Sequence, residues 1–226
     1  MKYKGIVFDI DGTITSHVSS WQYIHERLGR WDGVAAAYQE KFLAGEISYR
    51  RFCELDAAEW KGMEDRKLRE LFTDVPYAPN APECLKRLKK LGFKLAAVST
   101  GLQYIPEMIK EEFDFDCILY NRLLSKKGRL TGEVRIEVSH EGKGLALENI
   151  LKKMKISSGE IIGVGDSGGD IALAEKCGYF IAFNSSSRKL SEKADYECVS
   201  GDFREVAAII LAASGLADTE YSAGAQ

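Results

Sequence analysis

Two aspartates one residue apart, Asp9 and Asp11, follow directly on the apolar run Gly5-Ile6-Val7-Phe8 and lead into Gly12 and Thr13. A run so short and apolar reads as a buried strand, so both carboxylates leave the end of a core strand and approach one small volume. Holding them together is costly unless a cation or a proton relieves the repulsion. Taken alone, the pattern also suits an Asx-turn or a calcium loop. Three further stretches carry compatible chemistry: Ser99-Thr100-Gly101, Lys143 between two glycines, and Asp166-Ser167-Gly168-Gly169-Asp170. Singly, Ser99 could be a helix cap, Lys143 a solvated helix start and the glycine-rich stretch a turn. Together, several carboxylates with neutral hydroxyls and one lysine suit phosphoryl transfer assisted by a hard cation. Mg2+ takes octahedral oxygen ligands and bridges carboxylate to phosphate. The lysine offsets charge on the phosphoryl group, while hydroxyl and backbone N–H donors hold its oxygens.

The elements that must position these residues alternate between strand and helix. Strands are expected at 5–8, 93–98, 117–120, 161–165 and 179–183, with helices near 82–91, from 105, from 143, at 171–176 and at 203–216. Pro106 fits only the first turn of its helix. Residues 123–138 alternate weakly around Gly128 and Gly132 and suggest a hairpin, with Lys126-Lys127 in a solvated turn. This order predicts an α/β fold: a Rossmann-like, mostly parallel sheet with helices on both faces. In such a sheet the site lies outside the carboxyl ends of the strands, which is where every polar cluster above falls.

One segment breaks the alternation. Between residues 15 and 75 there is only helical periodicity: Trp21, Ile24 and Leu28; Val34, Tyr38 and Phe42 with Leu43; Ile47, Phe52 and Leu55 behind an N-cap at Ser48; Leu68, Leu71 and Phe72 behind a cap at Asp65. We read this as a small helical cap inserted into a core of residues 1–14 and 76–216, burying its stripes against itself. The proline-rich stretch 76–82 is the return hinge. Residues 217–226 have little to bury and are expected to fray as a tail.

A formal net charge of -3 argues against a partner recognised through a basic field, so no nucleic acid is expected. No run reaches the ~18 apolar residues of a membrane span. The first strand begins almost at once, leaving no room for a signal peptide, and a cytoplasmic location is the default. The five cysteines, Cys53, Cys84, Cys117, Cys177 and Cys198, form no metal-type spacing and read as free thiols, mostly buried. Three histidines without a zinc motif disfavour zinc hydrolysis. A monomer and a homodimer are both compatible with the pattern.

The four stretches, in order, resemble the four motifs of the haloacid dehalogenase-like hydrolases. Asp9-Ile10-Asp11-Gly12-Thr13 matches the first, Ser99 with Thr100-Gly101 the second, Lys143 the third, and Gly165 to Asp170 the fourth. With its helical insert and hairpin, the chain resembles the phosphoserine phosphatase branch over residues 1 to about 215. The resemblance implies a Mg2+-dependent phosphatase acting on a small phosphorylated metabolite, phosphoserine among the candidates. It implies Asp9 as nucleophile, forming an aspartyl-phosphate, and Asp11 as general acid and base. Mg2+ would be held by Asp9, the carbonyl of Asp11 and Asp166, with Asp170 orienting through water or directly. Ser99, Thr100 and Lys143 would bind the phosphoryl group with the amides of Gly101 and around Gly12. A cap arginine, Arg50 or Arg51, would read a substrate carboxylate. Two departures bear on substrate: the branch usually has an amine-reading glutamate where this chain has His17 or Val18, and an asparagine where it has Gly169. A phosphomutase or phosphotransferase would share the first motif and the cation site, and a non-catalytic phosphometabolite-binding protein is a further alternative.

Overall fold

The computed structural model describes residues 1–17 and 19–216. Val18 and the expected tail, 217–226, lie outside the described residues. Strand β1 (Gly5–Phe8) is buried at every position and runs parallel to β2 (Lys94–Leu102) on one side and β5 (Ile161–Gly165) on the other. The sheet continues outward through β3 (Cys117–Lys126) and β4 (Arg129–Arg135) beyond β2, and through β6 (Tyr179–Phe183) and β7 (Tyr196–Cys198) beyond β5. All pairings are parallel except β3 with β4. The strand order reverses at β1, so a crevice opens at its carboxyl end, as parallel sheets with crossover helices require.

Alternation along β1 sends Ile6 and Phe8 to one face and Val7 to the other, and each face has its own apolar cluster. The first is closed by α5 (Ala81–Lys90), α6 (Tyr104–Phe113) and α10 (Phe203–Ala213). The second is closed by α7 (Lys143–Met154), α8 (Ile171–Ala174) and α9 (Arg188–Ser191). Pro106 sits in the first turn of α6, where its missing N–H has no helical partner to lose. Four of the five cysteines are buried and all are free thiols. Among the described residues no helix is long and apolar enough to cross a membrane.

Several elements depart from expectation. The strand predicted at 93–98 runs on to Leu102, and its register against β3 shifts between Val98 and Leu102, so Ser99-Thr100-Gly101 forms an irregularity inside a strand. Such bulges re-aim the backbone. The strand predicted at 117–120 and the hairpin predicted from 123 are one ribbon, turned at Lys127-Gly128 with φ of 51° and 75°. Both positive values match the tight turn whose twist suits flanking strands. Short β7 and α9 show no periodicity long enough to be read from sequence.

The insert comprises α1 (Ser20–Arg27), a π-helical turn (Trp31–Ala35) leading into α2 (Ala36–Leu43), α3 (Tyr49–Glu59) and α4 (Asp65–Glu70). Ser48 caps α3 as expected, its hydroxyl accepting from Arg51 N. Asp65 does not cap α4; Glu64 holds that position, and the Asp65 carboxylate instead accepts from Tyr104 Oη at 2.9 Å. The second apolar stripe is not a core face, since Val34 and Leu43 are exposed and α2 buries none of its residues.

The insert also does not keep its core to itself. Trp21 stacks on Trp60 with centroids 5.9 Å apart, Phe72 stacks on Tyr104 at 5.3 Å, and this cluster is continuous with Ile10 and Phe8 of the sheet. Backbone bonds from Gly62 N to Leu130 O, Leu130 N to Met63 O and Asp65 N to Gly128 O sew it to the hairpin. Its two linkers pair with each other, Ser16 N donating to Pro76 O and Ala78 N to Ile14 O. Independent unfolding of the insert would therefore expose part of the sheet's own core.

That continuity generates a prediction. All three tryptophans, Trp21, Trp31 and Trp60, lie in the insert, so their fluorescence reports on it while far-ultraviolet circular dichroism reports on the whole chain. The two signals should melt in one coincident transition. Trp60→Ala should cost ~3–5 kcal/mol without splitting it. An earlier fluorescence transition would show the insert to be a separate folding unit.

Candidate active site

Asp9 lies just past β1, but its N–H donates to Val164 O at 2.9 Å and continues the sheet ladder, so its backbone is fixed as firmly as a strand residue. Its side chain accepts from Ile10 N at 2.8 Å and lies 2.9 Å from Lys143 Nζ. The chain then turns tightly, with the N–H groups of Thr13, Ile14 and Thr15 converging on Ile10 O. Gly12 occupies this turn at φ 83°, and a Cβ there would stand 2.5 Å from Asp166 Oδ2. Glycine is required both by the left-handed backbone and by that close approach.

Asp11 faces another way. Its Oδ2 accepts from Ser20 N at the start of α1, 2.8 Å away. His17 Nε2 lies 3.2 Å from Oδ1, off the line of a good hydrogen bond yet close enough to favour the carboxylate. The two aspartates of the first motif thus point at different partners, Asp9 at the lysine and Asp11 at the insert.

Lys143 opens α7 and is 2% exposed, with its ammonium 2.7 Å from Asp170 Oδ1 as well as beside Asp9. Asp170 ends a 3-10 turn (Gly168–Asp170) after β5, and its Oδ2 accepts from Asp166 N, Ser167 N and Ser167 Oγ. Both of its oxygens are therefore already engaged. Asp166 accepts from Thr13 Oγ1 at 3.0 Å through Oδ1. One carboxylate oxygen from each of Asp9, Asp166 and Asp170 lies within 4.8 Å of the other two. Three hard oxygen donors that close fit a small divalent cation such as Mg2+. The Asp11 carboxylate is not in this group.

The irregular stretch of β2 supplies the remaining wall. Ser99 is buried, and its hydroxyl accepts from Gly101 N at 2.8 Å. A Cβ on Gly101 would meet Ser20 Oγ at 2.5 Å and Asp11 Oδ2 at 2.7 Å, so only glycine fits beneath the insert. The Thr100 carbonyl accepts from Trp21 Nε1, Tyr49 Oη and Asn121 Nδ2 at 3.1, 2.6 and 3.0 Å. Asn121 also donates to Val138 O and accepts from Glu137 N and Val138 N. Sequence reading assigned no role to Ser20, Tyr49 or Asn121. The one available signal was Asn121 itself, a lone amide inside an apolar strand.

A cavity of about 220 Å³ joins Asp9, Asp11, Lys143 and Thr100 to the insert. Arg50 and Arg51 do not line it. Both are exposed, because α3 turns Tyr49, Phe52, Cys53 and Asp56 inward and leaves the arginines on its outer side, where Arg51 lies 3.8 Å from Glu54. A larger, shallower hollow of about 810 Å³, lined by residues such as Leu151, Ile156 and Lys176, sits at the amino-terminal edge of β5 and contains none of the acidic cluster.

The profile of the haloacid dehalogenase-like hydrolases matches residues 6–175. The chain belongs to that family. Within it the chain falls in the phosphoserine phosphatase-like branch. A phosphoserine phosphatase of Methanocaldococcus jannaschii is 31% identical over 209 residues, covering 91% of this chain and 96% of that protein. One of Archaeoglobus fulgidus is also 31% identical, over 80% of this chain, but the match spans only 52% of its own length. A solved phosphoserine phosphatase in the form of a phospho-aspartyl intermediate analogue superposes with a TM-score of 0.78 at 30% identity, covering 91% of this chain and 98% of that one.

The electrostatics of this hydrolase follow from its burial. Desolvation, then repulsion from Asp170, raises Asp9 well above the ordinary carboxylate range, against the pull of Lys143. The same two causes push Asp166 up to about 7. Burial would lower the Lys143 ammonium, but Asp170 and then Asp9 outweigh it and hold the group above its usual value. Asp11 goes the opposite way: burial would raise it, yet His17 and Ser20 together bring it below 3.8.

An acid whose folded pKa exceeds its unfolded value binds more protons in the native state, so it makes stability fall as pH rises between the two values. For Asp166 that window runs from 3.8 to about 7. In chelator, the melting temperature of the wild type relative to Asp166→Asn should therefore decline across that window, by several degrees. Excess Mg2+ should flatten the decline. A flat difference in chelator would show that Asp166 is not strained in the absence of a cation.

Proposed function

We propose that this chain is a Mg2+-dependent phosphatase that hydrolyses a small phosphorylated metabolite through an aspartyl-phosphate on Asp9. The observation that carries the reading is the division of labour between the two aspartates: Asp9 rigid beside Lys143, Asp11 held apart beside Ser20 and His17. The family and its phosphoserine phosphatase relatives support the reaction class. The solved relative in phospho-aspartyl analogue form supports the covalent route.

In this reading an Asp9 oxygen bonds to phosphorus while the ester P–O bond breaks, and Asp11 gives its proton to the departing alcohol oxygen. Asp11 then takes a proton from water as that water attacks phosphorus, the bond to Asp9 breaks, and inorganic phosphate leaves. Each step regenerates the form the other needs. His17 and Ser20 favour ionised Asp11, the base of the second step. The negative phosphoryl group entering the cleft favours its protonated form, the acid of the first.

Lys143 offsets the charge of Asp9 and of the phosphoryl oxygens, and the hydroxyls of Ser99 and Thr100 with the amides of Gly12 and Gly101 complete the cradle. Mg2+, held by Asp9, Asp166 and the carbonyl of Asp11, with Asp170 orienting, would neutralise phosphoryl charge as a Lewis acid. Asp170, whose oxygens are engaged, acts chiefly to position Lys143 and the 166–167 backbone. The insert of residues 15–75 acts as a cap that excludes water and limits substrate size. The same reading takes the enzyme to be cytoplasmic, a monomer or homodimer, with neither nucleic acid nor membrane as partner.

Three outcomes are expected. Asp9→Asn keeps the shape and removes the attacking charge, so kcat should fall by at least ~10³-fold. Rapid acid quenching of the wild type should trap a phosphoryl adduct that peptide mapping assigns to Asp9; an adduct elsewhere would overturn the assignment. Exhaustive chelation should abolish turnover and added Mg2+ restore it. Undiminished turnover after chelation would remove the metal from the mechanism.

A further inference from the structure

The cavity that starts at Asp9 and Asp11 has an unusual second half. Its far wall is built from cap residues: Trp21 and Gln22 of α1, Gln39 and Phe42 of α2, and Phe52 of α3. Among the described lining residues the formally charged side chains are Asp9, Asp11 and Lys143 alone, and all three belong to the phosphoryl end. Lys143 is already shared between Asp9 and Asp170 and has no reach to spare for a second anion.

The two arginines that could supply positive charge from the cap are on the wrong side of their helix. Phe52 lines the cavity, and at ~100° per residue Arg50 stands ~200° and Arg51 ~100° around the axis from it. Glu26, one turn along α1, accepts from Gln22 Nε2 at 2.7 Å and is exposed outside the cavity lining. Among the described lining residues His140 is the single other titratable group. It packs edge-on against Phe42 with centroids 5.5 Å apart, is 42% exposed, and lies 3.9 Å from Glu141. A half-exposed imidazole already beside a carboxylate is a poor partner for a buried anion.

A zwitterionic organic half would thus place an ammonium and a carboxylate against aromatic rings and amides with no counter-charge. Burying unpaired charge in that way weakens binding by about tenfold or more per group. The same wall suits uncharged hydroxylated carbon. The Gln22 and Gln39 amides are uncharged groups with donor and acceptor capacity, and Trp21, Phe42 and Phe52 line the rest with apolar ring carbon. A cavity of about 220 Å³ leaves room for a small monoester only.

We propose that the substrate is a phosphate monoester of a small, uncharged, hydroxylated skeleton, a polyol or sugar phosphate, rather than a phosphorylated amino acid. The inference rests on the phosphatase reading above and narrows it. In the reaction the ester oxygen leaves with a proton from Asp11 as a neutral alcohol, and water supplies the oxygen of the released phosphate.

The test uses the full chain with Mg2+. p-Nitrophenyl phosphate reports whether phosphatase chemistry is present at all. Glycerol phosphate and hexose monophosphates form the neutral arm; O-phosphoserine, phosphoglycerate and phosphoethanolamine form the charged arm. The best neutral ester should exceed every charged one in kcat/KM by at least about tenfold, one unpaired charge corresponding to that factor or more. O-Phosphoserine equalling or beating the neutral esters would overturn the proposal while leaving the phosphatase reading intact. No turnover of any ester, p-nitrophenyl phosphate included, would instead overturn the phosphatase reading and this inference with it. Gln39→Arg adds a cation to the wall, and should raise the ratio of phosphoglycerate to glycerol phosphate turnover by about tenfold. An unchanged ratio would show that this wall does not face the organic half.

Discussion

Three buried carboxylates crowd beside one ammonium that pairs with two of them. Asp9, Asp166 and Asp170 crowd within 4.8 Å at the carboxyl ends of β1 and β5, and Lys143 neutralises only part of their charge. An arrangement this repulsive persists only if the rest of the fold over-determines it. The central sheet does so: β1 fixes Asp9 through the ladder bond to Val164, β5 delivers Asp166, and the turn after β5 holds Asp170 Oδ2 while Lys143 of α7 holds its Oδ1. What remains is a deficit of positive charge at the carboxyl ends of the central strands. On the proposed reading a bound cation would relieve it, which would link metal, substrate and stability through one interaction.

The cap is tied to that centre by hydrogen bonds to backbone more than by shape alone. The Thr100 carbonyl collects Trp21 from α1, Tyr49 from α3 and Asn121 from β3, so one acceptor joins two helices of the insert, the hairpin strand and the irregular Ser99–Gly101 segment. Asn121 uses its amide nitrogen and oxygen fully, which makes it a buried polar group with nothing left unpaired. Cap position and the shape of the Ser99–Gly101 segment are consequently coupled. Ser20 adds a second tie, since its N–H holds Asp11 while its hydroxyl accepts from Leu102 N.

This coupling explains how one chain keeps two unlike environments in a single cleft. The end at Asp9, Asp11 and Lys143 is dense with charge and is set largely by strand ends, where geometry is rigid. The end formed by the insert carries no formally charged side chain among the described lining residues and is set by helices, whose inward faces must also feed a core that is continuous with the sheet. Aromatic residues serve both needs: Trp21 and Phe52 line the cavity on one side and pack into the apolar cluster on the other.

The order of strands and helices, the helical insert and the four loops at the strand ends were legible in the sequence. They are encoded by neighbouring residues: apolar runs such as 161–165, helical spacing such as Trp21 to Leu28, and the Gly12 turn after two aspartates. Side-chain types at those ends fixed the chemistry, since carboxylates, a lysine and hydroxyls have few joint uses. Tertiary structure decided what depends on how separate elements face one another. Rotation of α3 about its axis put Phe52 in the cleft and Arg50 and Arg51 outside it. Packing of the cap on the sheet drew Asp65 away from its expected capping role to Tyr104 and merged two apparent cores into one. Asn121 became a hub only because β3 runs on beside the irregularity in β2. Local patterns fix each element's own period and ends; the partner that a side chain meets across 20 to 150 residues is fixed by register and packing, which no local pattern contains.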